Sequence, residues 1–114
     1  MSTVARVKTR EVQSALGGAL AHWTLEPHPE GLEDQLGALR CKLRFDSFAS
    51  AFAFMTQLAI VADKRDHHPE LWNVYDRVHV GLSTHDAQGV SQRDIDMARA
   101  IERIIHSDST ARFE

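Results

Sequence analysis

Seven histidines are many for 114 residues, and three of them stand where chemistry is usually displayed. His67 and His68 adjoin in Asp66-His67-His68-Pro69, and His85 precedes the turn Asp86-Ala87-Gln88-Gly89. An imidazole titrates near ~6.5, so it can take or give a proton around neutrality. Groups that do so commonly sit on loops and element ends carried by a rigid scaffold. Three readings follow from the residues alone. The first is a polar loop whose imidazoles cap helix carbonyls. The second is a metal site drawn from His67, His85 and Asp66 or Asp94, since imidazole is a common ligand of zinc-like ions. No His-x-x-x-His and no Cys-x-x-Cys accompanies those residues, so no metal is expected. The third is an acid-base site. His22, His28 and His106 fall in ends or turns and read as solvated, and His79 reads as structural on a polar strand face.

The elements that must hold these groups are legible from periodicity. Val12, Leu16, Ala19 and Leu20 predict a first helix over Thr9–Ala21, weakened at Gly17 and Gly18. The turn signal His28-Pro29-Glu30-Gly31 predicts a hairpin between strands at Trp23–Pro27 and Leu32–Phe45. In the second strand Leu39, Cys41, Leu43 and Phe45 alternate with Arg40, Lys42 and Arg44. A second helix is predicted over Ser47–Lys64, with Phe48, Phe52, Met55, Ala59 and Ala62 as its core stripe. Val74, Val78, Val80 and Leu82 predict one long strand over Trp72–Thr84, with a further short strand possible over 66–74. Such a strand would hold His67-His68 and His85 at opposite ends, so a neighbouring strand or another subunit must bring them together. Ser91-x-x-Asp94 fits a capping box opening a last helix over Gln92–His106, with Ile95, Ala98, Ile101 and Ile105 buried. The tail from Ser107 to Glu114 is expected to fray. This order predicts an α+β fold: an antiparallel, about four-stranded sheet with three helices packed on one face.

Bulk properties narrow the function. The length suits a single domain over 1–114, and 43% hydrophobic with 25% charged residues is ordinary for a globular chain. A net charge of -3 and the absence of a basic stripe argue against direct nucleic-acid binding. No apolar run is long enough for a membrane span and no secretory start is evident, so a cytoplasmic protein is expected. The one cysteine, Cys41, lies on the apolar side of its strand and reads as a buried structural thiol. A core this small gains from association, which makes a homo-oligomer reasonable.

The segment from Asp63 to Tyr75 resembles the signature of the pterin-4a-carbinolamine dehydratases. That family carries an acidic residue four before a His-His-Pro, an aromatic six past the proline, a His or Trp ten residues later, and an Asp beyond. Asp63, His67, His68, Pro69, Tyr75, His85 and Asp94 supply these positions. Phe45-Asp46-Ser47-Phe48 and Leu82-Ser83-Thr84-His85-Asp86 also resemble the family. There are departures: Leu71 stands where the family often has Trp, and Asp63 where it commonly has Glu. The stretch from Thr24 to Gly37 is longer than usual for the family.

The resemblance implies dehydration of 4a-hydroxytetrahydrobiopterin to quinonoid dihydropterin and water, in tetrahydrobiopterin recycling. It implies a pterin as the small-molecule partner and no metal or organic cofactor. His67 and His85 become the expected acid-base pair, with His68 polarising the substrate. Asp63, Asp66, Pro69, Tyr75, Ser83, Thr84, Asp94 and Trp23 become expected substrate contacts. A homodimer or homotetramer is implied too. The alternative is a protein-interaction, assembly or transcriptional-cofactor module of the same fold.

Overall fold

The structure, a computed structural model, describes residues 5–27, 36–87 and 89–114. The hairpin turn expected at 28–31, residues 32–35 of the expected second strand, and Gln88 lie outside the described residues. In chain order the elements are helix α1 (Thr9–Ala15), strands β1 (Thr24–Pro27) and β2 (Leu36–Arg44), helix α2 (Phe48–Arg65), strands β3 (Glu70–Val74) and β4 (Arg77–Leu82), helix α3 (Gln92–His106) and strand β5 (Arg112–Phe113). Short 3-10 turns occupy Gly18–Leu20 and His85–Ala87.

The sheet is antiparallel and runs β1-β2-β4-β3, with β5 also paired to β2. Leu39, Cys41 and Leu43 of β2 lie opposite Leu82, Val80 and Val78 of β4. All six are buried in one core with residues of α1, α2 and α3, which gives the α+β arrangement. The other face carries Arg40, Lys42, Arg44, Arg77 and His79. There Arg40 crosses over Gly81 to reach Glu26 at 2.7 Å and Glu70 at 3.9 Å. A Cβ on Gly81 would stand 2.8 Å from the Arg40 guanidinium, so the glycine makes room for it. Burial first, and then Glu102, pushes the Cys41 thiol up to about 12, so it is no nucleophile in the folded chain.

Four expectations need correction. The first helix stops at Ala15 because Gly17-Gly18 breaks it, with Gly18 at φ 57. The tail is not frayed: β5 pairs with Leu43 and Arg44, and the Phe113 ring stacks on His22 with centroids 3.9 Å apart. Among the described residues the sheet therefore has five strands. On α2 the buried stripe is Ala51, Phe54, Leu58 and Ala62, whereas Phe48 and Phe52 are about half exposed and Ala59 is exposed. This helix is apolar on more than one side, so hydrophobic spacing alone did not say which side meets the sheet.

The fourth correction concerns the long strand. Residues 70–82 form a hairpin, β3 and β4, joined by Tyr75 and Asp76. The two-residue reversal shifts the alternation by one place. Val74 pairs with Arg77 and is 52% exposed on the outer face, not in line with the buried Val78, Val80 and Leu82 as expected, while β3 itself falls within the short strand thought possible over 66–74. Among the described residues no helix is long and apolar enough to cross a membrane.

The phasing of α2 sets a stability test. Phe54 is buried and packs at 5.1 Å on Phe45. Phe54→Ala is expected to lower stability to urea by about 3–5 kcal/mol. A loss under about 1 kcal/mol would contradict the packing described here.

Candidate functional site

The reversal at Tyr75 determines which chain segments meet. Tyr75 is left-handed (φ 51), and the Asn73 side-chain amide donates to the carbonyls of Tyr75 (3.1 Å) and Arg77 (2.8 Å), closing the turn. The pairing then runs from Val74↔Arg77 to Glu70↔Gly81. Residues 67–69 enter β3 at the end where β4 leaves toward residues 83–85. The two ends that a single strand would have held apart are thereby neighbours within one chain.

Helix ends aim the side chains. Asp66 closes α2 in a left-handed conformation (φ 50), its N–H donating to Ala62 and Asp63 carbonyls. The chain turns there, and the His67 N–H also returns to the Ala62 carbonyl at 3.1 Å. The His67 ring thus points toward α3, where its Nε2 lies 2.6 Å from Asp94 Oδ1. Asp94 Oδ2 accepts from Thr84 Oγ1 and from the Ser91 N–H, both at 2.8 Å. Thr84 Oγ1 is 2.6 Å from Ser91 Oγ, which accepts the Arg93 N–H at 3.2 Å. Asp94, Ser91 and Thr84 are buried, and the His67 side chain is 11% exposed.

His68 faces elsewhere. Its Nε2 lies 3.3 Å from Asp63 Oδ1, and both side chains are exposed. Together with Pro69, Ile60 and Leu71 they line an apolar cleft of about 490 Å³, within the range of small-molecule sites. His67 borders a smaller cleft of about 160 Å³ with Arg65, Arg93, Asp96 and Met97. His85 follows Thr84 directly and is exposed, as is Ser83. Asp66 is exposed beside the pair.

Two expected contacts are not brought to this end. Tyr75 is 65% exposed at the far tip of the hairpin, roughly 17 Å from Glu70 at ~3.3 Å per residue. Trp23 is 2% exposed, and its indole N–H donates to Glu102 Oε1 at 2.7 Å. Glu102 lies two turns beyond Asp94 on α3, about 12 Å along the axis at ~1.5 Å per residue. Sequence reasoning passed over Ser91 as a site residue. Its capping-box spacing points to a helix start, not to a histidine. Arg65 and Arg93 carry no signal beyond that of ordinary surface cations.

His79 has the environment of a structural group. Its ring stacks on Trp72 at 4.3 Å, and Glu114 lies 3.7 Å away. Burial foremost, then the Lys42 charge, holds its pKa below the ordinary 6.5, against the pull of Glu114. The fold therefore favours neutral His79. That contribution is complete above 6.5 and is lost as pH falls through the window beneath it. His79 should titrate below 6.5 by NMR, and His79→Gln should reduce the stability lost between about pH 8 and about pH 5. An upward-shifted titration would contradict this.

Residues 5–104 match the family described as pterin 4 alpha carbinolamine dehydratase. A Novosphingobium aromaticivorans protein named for pterin-4-alpha-carbinolamine dehydratase is 48% identical over 103 residues, 90% of this chain and 99% of the relative. A Burkholderia vietnamiensis protein named for the same activity is 44% identical, covering 87% of this chain and 89% of its own length. The crystal structure of a transcriptional coactivator/pterin dehydratase from Brucella melitensis superposes with a TM-score of 0.74 at 41% identity, over 87% of this chain and 97% of that one.

Proposed function

The chain belongs to the pterin-4-alpha-carbinolamine dehydratase family, a family of hydro-lyases, and on that premise we propose that it dehydrates 4a-hydroxytetrahydrobiopterin by histidine acid-base catalysis. The C4a–O bond breaks and the hydroxyl leaves with a proton as water. The N5 proton passes to a base, and its electron pair forms the C4a–N5 double bond of quinonoid dihydropterin. Atoms and charge balance with no redox step, so the reaction needs neither metal nor organic cofactor. In this reading the enzyme is cytoplasmic and serves tetrahydrobiopterin recycling.

The observation that carries the reading is the β3–β4 pairing, which sets His67, His68 and His85 at one end of a hairpin. The pterin ring lies across segments 67–69 and 83–85. His67 and His85 exchange the two protons, and His68, steadied by Asp63, polarises the ring. The Asp94 carboxylate beside His67 fixes the orientation of its ring for proton exchange. The intact histidine set favours an enzyme over an interaction module.

A spectroscopic dehydratase assay tests the assignment. The wild-type chain should exceed the uncatalysed rate, and His67→Ala or His85→Ala should lower turnover about 10²–10⁴-fold. A wild-type rate equal to the uncatalysed one would overturn the reading.

The same reading includes a homo-oligomer. Phe48, Phe52 and Ile60 are each about half exposed on the outer side of α2, and the two phenyl rings lie 5.8 Å apart. Apolar groups gathered this way commonly mark a contact surface. Light scattering should give a dimer or tetramer for the wild type and a smaller species for Phe52→Glu. A monomeric wild type, or an unchanged mass in the variant, would count against an oligomer built on this helix.

A further inference from the structure

We propose that Thr84 and Ser91 are positioning residues that act through Asp94 to hold His67 as its Nε2–H tautomer, leaving Nδ1 as the nitrogen that moves protons. The role of Nδ1 in turnover rests on the dehydratase reading. The hydrogen-bond wiring does not.

The wiring follows from counting protons. A carboxylate offers lone pairs only. Thr84 Oγ1 has one proton and, among the described residues, two polar side-chain neighbours, Asp94 Oδ2 at 2.8 Å and Ser91 Oγ at 2.6 Å. That proton goes to Asp94, so Ser91 must donate its own proton to Thr84 Oγ1. Ser91 Oγ still has a lone pair for the Arg93 N–H, and the Ser91 N–H supplies the second donor to Asp94 Oδ2. Each proton in the chain then has one destination. Oδ2 is taken by two donors, and Oδ1 faces His67 Nε2 at 2.6 Å. The ring nitrogen must donate there, which in the neutral imidazole leaves the lone pair on Nδ1.

Burial makes this arrangement hard to replace. Asp94 and Ser91 are fully buried and Thr84 is 4% exposed, so solvent does not stand in readily for a missing hydroxyl. The two donors on Oδ2 fix the plane of the carboxylate, and that plane aims Oδ1 at the ring. Thr84 was expected as a substrate contact. Its hydroxyl is already committed inward, so its side chain acts on His67 and not on the pterin.

The experiment is ¹⁵N NMR of histidine-labelled protein, read together with kcat, KM and melting temperature across pH. In the wild type the His67 signals should show a protonated Nε2 and a bare Nδ1. Thr84→Val should mix the tautomers, lower kcat about 10- to 100-fold and move the pH profile, with less effect on KM. Ser91→Ala should act in the same direction, and Thr84→Ser should recover the tautomer and the profile that valine loses. A wild-type ring protonated at Nδ1 would overturn the proposal. So would a Thr84→Val protein that melts lower but keeps both tautomer and profile. The tautomer is read without turnover, so an inactive wild type would sink the dehydratase reading while this one is still decided.

Discussion

Three chain segments converge on the carboxylate of Asp94: the loop after α2 through His67, the end of β4 through Thr84, and the start of α3 through Ser91. A buried carboxylate is tolerated only where its acceptor capacity is filled. Here the filling groups belong to three different elements, so satisfying one side chain also ties those elements together. The capping box of α3 and the orientation of His67 are thus two results of a single electrostatic requirement. Stability and site geometry meet at one residue.

That junction depends on the hairpin. Without a reversal at Tyr75 and Asp76, Thr84 would lie far from the loop that carries His67. The left-handed backbone of Tyr75 is unusual for a bulky side chain, and Asn73 secures it with two hydrogen bonds to backbone carbonyls. The hairpin also separates tasks along its length. Its open end carries the histidines, and its tip carries Tyr75. Its outer face packs Trp72 against His79 and beneath Arg77, 5.6 Å from the ring.

Much of this was legible in the sequence, for physical reasons that differ by element. The capping box and the stripe of Ile95, Ala98, Ile101 and Ile105 fixed α3 because a strongly amphipathic helix has only one side to bury. The alternation of β2 was equally plain. Helix α2 was found but turned wrongly, since its apolar residues surround it and only the sheet decides which stripe is covered. The hairpin was half legible: a short strand over 66–74 was admitted, but valine at 74, 78 and 80 mimics one continuous alternation and no glycine or proline marks the turn that shifts it. That one omission made the histidines seem distant. The resemblance grouped His67, His68, His85 and Asp94, but it could not show that His67 and His68 face different clefts. Nor could it show that Trp23 spends its indole N–H on Glu102.

In the proposed function the open end of the β3–β4 hairpin holds a reduced pterin beside His67. A crystal structure of the chain with an unreactive dihydropterin tests it most directly. The ring should lie against residues 67–69 and 83–85, with His67 still bonded to Asp94 and its Nδ1 turned to the ligand. A ring bound elsewhere, such as the Trp72 and His79 face of the sheet, would contradict it.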